Sequence, residues 1–135
     1  MNVLETYTQE EVVAHMLRTM GIAPHQRGWE HLNIAINLII EDTAYLHNMT
    51  KMLYPTIAER TGVTAKSVER AIRHSIVEAF DRVPADAVLH KIFDDFAEDA
   101  PCVSLFVATV AELYKKEKHH PIFYTEVMGG LTSEQ

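Results

Sequence analysis

The chain has 135 residues, of which 47% are hydrophobic and 23% charged, and this composition predicts one globular domain rather than a disordered segment. Its net charge of −7 argues against non-specific nucleic-acid binding, which depends on many Lys and Arg contacts to phosphate. The single cysteine excludes an intrachain disulfide and a zinc site built from several thiolates.

Neither a secretory signal nor a membrane span is expected. The N-terminus, MNVLETYTQEEVVAHM, lacks a basic region followed by an apolar run. The most apolar segment, LNIAINLII, is far shorter than the roughly 20 residues needed to cross a bilayer. We therefore expect a cytoplasmic protein with no membrane partner.

Apolar residues recur at helical spacing along the chain, and no segment alternates with a period of two. This pattern predicts an all-α single domain of about six helices. Gly21 is expected to end the first helix, Pro55 to lie in the first turn of the third, Thr64 to cap the fourth, and Pro84 to open the fifth. The predicted helices span, in chain order, 9–20, 29–47, 55–60, 64–82, 84–97 and 103–118.

Residues 54–80 fit a helix-turn-helix within the predicted domain 9–118, which an N-terminal extension (1–8) precedes and a tail (119–135) follows. Two small residues support the motif. Ala58 stands where the two helices would cross closely, and Gly62 can take the positive φ of a sharp turn.

The helix predicted over 64–82 divides into two faces. Its core side carries an apolar residue at every fourth position, namely Val68, Ile72 and Ile76. Its outer side carries polar residues, namely Lys66, Glu69, Arg70, Arg73 and His74. In a major groove, an arginine donates two hydrogen bonds to guanine and a glutamate accepts one from the cytosine amino group. Arg70 and Glu69 are therefore candidate base readers, while the other three suit phosphate.

The charge of this segment is opposite to that of the rest of the chain. Residues 50–82 hold six Lys and Arg against four Asp and Glu, a net +2, so the total of −7 leaves −9 for the remainder. A simpler interpretation remains open, because Glu69 and Arg73 are four residues apart and such pairs decorate many exposed helices.

The stretch LYPTIAERTGVTAKSVERAIRHSI, with GIAPHQRGWEHLNIAINLIIED upstream and SLFVATVAEL near the end, resembles the C-terminal effector domain of the stage zero sporulation protein A family. The resemblance covers about residues 10–117. It implies a six-helix domain that binds TGTCGAA-like boxes in double-stranded DNA, as a tandem head-to-tail dimer, and contacts RNA polymerase sigma factors. By position, it implies base reading by Glu69 and Arg70, and groove or phosphate contacts by Lys66, Ser67, Arg73 and His74.

The sequence departs from the family pattern in three places. The family's N-terminal phospho-receiver domain is not among these residues, so we expect no phosphorylation control in this chain. Ser67 stands where the family usually has an arginine, and Lys66 is expected to substitute in part. Residues 81–103, near the region of polymerase contact, are unusually acidic and include Asp94, Asp95, Glu98 and Asp99.

Enzymatic function has little support in the sequence. The eight histidines suggest a metal site, but the pair of Glu-x-x-His motifs that a di-iron bundle places on two helices does not occur. We expect no catalytic residue, no metal and no cofactor. The alternative to DNA binding is a protein-interaction module that keeps the same fold and modulates full-length relatives or the transcription machinery.

Overall fold

A computed structural model describes residues 7–93 and 100–119, with side chains up to residue 116. All regular elements in these two ranges are helical, as predicted. They are α1 (Gln9–Met20), α2 (Arg27–Glu41), α3 (Ala44–His47), a π-helical turn (Met49–Leu53), α4 (Tyr54–Thr61), α5 (Ala65–Arg82), α6 (Val88–Ile92) and α7 (Val103–His119). The predicted extension and tail lie largely outside the described residues.

Helix α1 has the predicted bounds because both of its ends are specified locally. The Thr8 hydroxyl accepts a hydrogen bond from the Glu11 amide (3.1 Å), and the Glu11 carboxylate accepts one from the Thr8 amide (2.8 Å). This reciprocal pair satisfies two amides that the first helical turn leaves free. At the other end Gly21 takes a left-handed conformation, with φ of 96°, and the helix stops there.

The prediction of one helix over 29–47 was wrong. Helix α2 ends at Glu41, because Asp42 is extended (φ −154°, ψ 110°) and its carboxylate accepts a hydrogen bond from the Ala44 amide at 2.9 Å. This local bond competes with helix continuation. The chain then forms α3 and the π-helical turn, and Leu46 is only half-buried there.

The helix predicted over 84–97 is also shorter than expected. Pro84 opens a turn, in which its carbonyl accepts a hydrogen bond from the Ala87 amide at 2.9 Å. Because Ala87 is extended (φ −72°, ψ 159°), α6 begins only at Val88. Residues 94–99, which include the four acidic positions noted above, lie outside the described residues.

Helix α2 is the central element of the core and packs against both α5 and α7. Three aromatic rings extend the core between α5 and α7. Phe80 and Phe93 meet edge to face at 5.7 Å, and Phe93 stacks on Phe106 at 5.4 Å. The largest fully buried side chains are Phe106, Met16, Leu17, Met20, Ile22, Leu32, Ile36, Ile39, Leu53, Ile57, Ile72 and Ile76.

None of the helices in the described ranges is both long and apolar enough to cross a bilayer.

Candidate nucleic-acid interface

Helices α4 and α5 are joined by the tight turn that a helix-turn-helix requires. Gly62 ends α4 in a left-handed conformation (φ 79°), and its amide donates to the Ala58 carbonyl at 2.8 Å. No atom lies within 4 Å of the position that a Cβ at Gly62 would take. Glycine is therefore needed for its backbone conformation, as predicted, and not for space.

The N-terminus of α5 is fixed by the predicted cap residue. The Thr64 hydroxyl accepts a hydrogen bond from the Ser67 amide at 3.1 Å, and the two side-chain oxygens are 2.9 Å apart. This contact orients the first turn of α5 and holds the Ser67 side chain on the exposed side of the helix.

We expect Thr64→Ala to lower the free energy of unfolding by about 1 kcal/mol, since loss of an N-cap hydroxyl leaves an amide unsatisfied. Thr64→Ser is the matched control, because it keeps the hydroxyl and should remain close to the wild type. Urea denaturation measures both variants. Equal stability of Thr64→Ala and the wild type would show that the cap does not hold this helix end.

The apolar side of α5 lies in the core as predicted. Val68 and Ile72 are fully buried and Ile76 is 1% exposed. Because these residues repeat every four positions, their burial fixes the rotation of α5 about its axis. The opposite side of the helix therefore faces solvent.

Five of the six predicted contact residues lie exposed on this outer side, namely Lys66, Ser67, Arg70, Arg73 and His74. Glu69 differs from them. Its side chain is 30% exposed and lies at the edge of the face, where its carboxylate pairs with the Arg73 guanidinium at 2.5 Å. One predicted base reader is thus paired with a predicted phosphate contact.

The edge occupied by Glu69 is next to the start of α4. Tyr54 is buried there, and burial is the main reason that its pKa is raised to about 12. The negative charge of Glu69 also raises the pKa of Tyr54, while the positive charge of Arg73 lowers it. The Tyr54 side chain therefore stays neutral at physiological pH. The Glu69–Arg73 pair remains partly exposed, and pairs of this kind stabilise a helix by only about 0.2–0.5 kcal/mol.

The sequence analysis missed a second element next to this face, the loop between α1 and α2. Its Gln26 side chain accepts a hydrogen bond from the Ser75 hydroxyl of α5 at 2.9 Å. Gly28 follows at the start of α2 and is so close to α5 that a Cβ would lie 2.3 Å from the Ala71 carbonyl oxygen. The signal for this contact in the sequence is Gly28, because glycine is unfavourable in a helix and its presence there indicates close packing.

The sequence that forms this arrangement matches a known protein family. The family described as "Sporulation initiation factor Spo0A C terminal" matches residues 13–113, a range that includes the whole α4–turn–α5 unit. The chain belongs to this family.

Family membership gives the exposed face of α5 its context. The Spo0A C-terminal domain is a helical, DNA-binding effector domain of a sporulation transcription regulator, and it is not a known enzyme family. The match confirms the resemblance noted from the sequence. It also confirms the all-α fold with a helix-turn-helix.

Proposed function

We propose that this protein is a sequence-specific DNA-binding regulator of sporulation type, in which α5 enters the major groove of TGTCGAA-like boxes. The observation that carries the proposal is the division of α5 into a buried apolar side and an exposed cationic side. The exposed side belongs to a helix that follows a tight turn, and recognition helices have this placement. It also lies in the net positive segment of an acidic chain.

Arg70 is the principal base reader in this proposal. Its side chain is exposed on the outer face, in the N-terminal half of α5, which is the half of a recognition helix that contacts bases. A guanidinium donates two parallel hydrogen bonds to O6 and N7 of guanine, and such a pair discriminates against a wrong base by about 1–3 kcal/mol.

Glu69 reads the neighbouring cytosine after an exchange of partners. Its carboxylate is bound to Arg73 at 2.5 Å in the structure, and in the proposed complex it accepts a hydrogen bond from a cytosine amino group. Arg73 then binds phosphate. Breaking the exposed Glu69–Arg73 ion pair costs only about 0.2–0.5 kcal/mol. The contacts that replace it are stronger, because Arg73 then binds a charged phosphate and Glu69 binds a base in the desolvated groove.

The remaining outer residues hold the helix against the DNA backbone. Lys66 lies in the first turn of α5, where the helix dipole also favours phosphate. The Thr64 hydroxyl donates to the Ser67 oxygen, which leaves the Ser67 hydrogen for a phosphate oxygen. His74 lies one turn beyond Arg70 and is exposed. These contacts fix register and carry no sequence information.

Fluorescence anisotropy with duplexes that carry tandem TGTCGAA boxes, compared with a scrambled duplex at two salt concentrations, tests the proposal. We expect tighter and salt-sensitive binding to the boxes. Equal affinity for both duplexes would contradict sequence reading and would favour the protein-interaction module instead.

A duplex with one box tests the further proposal that two copies bind head to tail, since only the two-box duplex should then bind two chains. In this proposal, a sigma factor of RNA polymerase is the partner of the DNA-bound pair.

Lys66→Ala should weaken binding to box and scrambled duplexes by the same factor and reduce the slope of log K against log salt by about 0.9, since one phosphate contact is lost. Titration of both duplexes at several salt concentrations measures this slope. A loss confined to the box duplex would instead make Lys66 a base reader.

A further inference from the structure

The loop between α1 and α2 is fixed against the side of α5 that adjoins the reading face. Besides the Gln26–Ser75 hydrogen bond of 2.9 Å, the Arg82 guanidinium donates to the carbonyl oxygen of Gly21. Gly28 packs on the turn of α5 that contains Ala71. These contacts hold both ends of the loop, so its exposed side chains have a fixed position relative to α5.

Exposed side chains at this junction can donate hydrogen bonds to an anion. His25 and Arg27 come from the loop and the first turn of α2, and His74 comes from α5. Two carboxylates lie nearby in the chain: Glu30 is exposed in the first turn of α2, and Glu78 of α5 is bound by Arg82 through two hydrogen bonds of 2.6 and 3.1 Å. The charge of Glu78 is therefore cancelled locally.

The acidity of Glu78 reflects its ion pair with Arg82. Its hydrogen bond with Arg82 holds the pKa of Glu78 below its usual range, and the nearby charges of His74 and His25 act in the same direction. His25 belongs to the loop and His74 to α5, so the two exposed imidazoles lie on either side of the boundary between loop and helix. The other exposed acid on this part of α5, Asp81, is two turns beyond His74.

With α5 in the major groove, as proposed above, the dimensions of DNA would bring a sugar–phosphate strand beside this junction. A helix with its side chains is about 10–12 Å across, and the major groove is about 12 Å wide, so protein at the flank of an inserted helix meets the backbone. The loop adjoins α5 at Ala71 and Ser75, within about one turn of Arg70. In addition, α2 begins without a side-chain cap, and uncapped first-turn amides favour anions.

We propose that residues 25–27, together with His74, form a second contact site for DNA phosphate, separate from the base-reading positions of α5. This inference rests on the proposed entry of α5 into the groove. It assigns to the loop a role in affinity and register, and none in base discrimination. It also accounts for the close approach of α2 and α5, which sets the position of the loop beside the DNA.

The test compares Arg27→Gln with Lys116→Gln, which removes a charge from the exposed side of α7. Arg27→Gln should bind box and scrambled duplexes roughly five- to tenfold more weakly near 0.1 M salt, with a salt slope smaller by about 0.9. Arg27→Lys should retain most of the affinity because it retains the charge. Lys116→Gln should match the wild type in affinity and slope.

The test distinguishes failure of the proposed base reading by α5 from failure of the proposed second phosphate site. If the wild type does not prefer the boxes, the proposed base reading fails, whatever Arg27→Gln does. If the wild type prefers the boxes but Arg27→Gln keeps the wild-type affinity and slope, the second phosphate site is wrong. A loss that occurs only on the box duplex would also overturn it, because Arg27 would then read bases.

Discussion

Arg70→Ala should weaken binding to a TGTCGAA-like box by about 1–3 kcal/mol, because the bidentate contact of a guanidinium with guanine is lost. The side chain is exposed and lies opposite the buried Val68 and Ile72, so the fold should not change. Affinity for the scrambled duplex should fall much less, since only a non-specific charge contribution is lost there. Anisotropy titrations at one fixed salt concentration measure both constants.

The matched control is Arg70→Lys, which keeps the positive charge but loses the planar fork of donors. We expect this variant to bind scrambled DNA like the wild type and to lose most of the preference for the box. Equal losses by Arg70→Ala on both duplexes would remove its assignment as a base reader and leave it as a phosphate contact.

Gly28→Ala should lower the free energy of unfolding by roughly 3 kcal/mol, toward the upper end of the usual cost of overpacking. The added Cβ would lie 2.0 Å from the Ser75 hydroxyl oxygen and 2.3 Å from the Ala71 carbonyl oxygen. The serine hydroxyl can turn away, but the Ser75 Cβ, 2.7 Å from the added atom, and the Ala71 carbonyl are both fixed to the backbone of α5. The substitution must therefore push α2 and α5 apart, and thermal or urea denaturation measures the cost.

Two further variants separate this steric effect from others. Ser75→Ala in the Gly28→Ala background relieves one clash and keeps the backbone clash, so stability should recover only in part. Gly62→Ala meets no atom within 4 Å and should cost about 1–2 kcal/mol from its left-handed backbone alone. If Gly28→Ala is as stable as the wild type, α2 and α5 are not in the close contact described here.

Features of the fold that depend on neighbouring residues could be predicted from the sequence. The stop at Gly21, the turn at Gly62 and the cap at Thr64 each depend on residues within a few positions. The core side of α5 could be predicted because periodicity alone decides which residues share a face. The end of α2 at Asp42 could not, because the apolar pattern continues across it and hides a short-range hydrogen bond.

Features of the site that depend on tertiary packing could not be predicted. The spacing of Glu69 and Arg73 indicates an ion pair, but the partial burial of Glu69 beside Tyr54 depends on how α4 packs on α5. The contact of Gln26 with Ser75 joins residues that are 49 positions apart. No local pattern encodes it, so the loop beside the reading face becomes visible only in the structure.

The measurement that tests base reading by α5 most directly is a binding cycle that combines Arg70→Ala with single base-pair changes in the box. Dissociation constants of the wild type and the variant are measured for a series of duplexes, each with one pair replaced. The account predicts that one G·C replacement weakens the wild type by about 1–3 kcal/mol and leaves Arg70→Ala nearly unaffected, because the partner of that base is already gone. If every replacement weakens both proteins equally, Arg70 does not read the box and α5 does not recognise sequence through it.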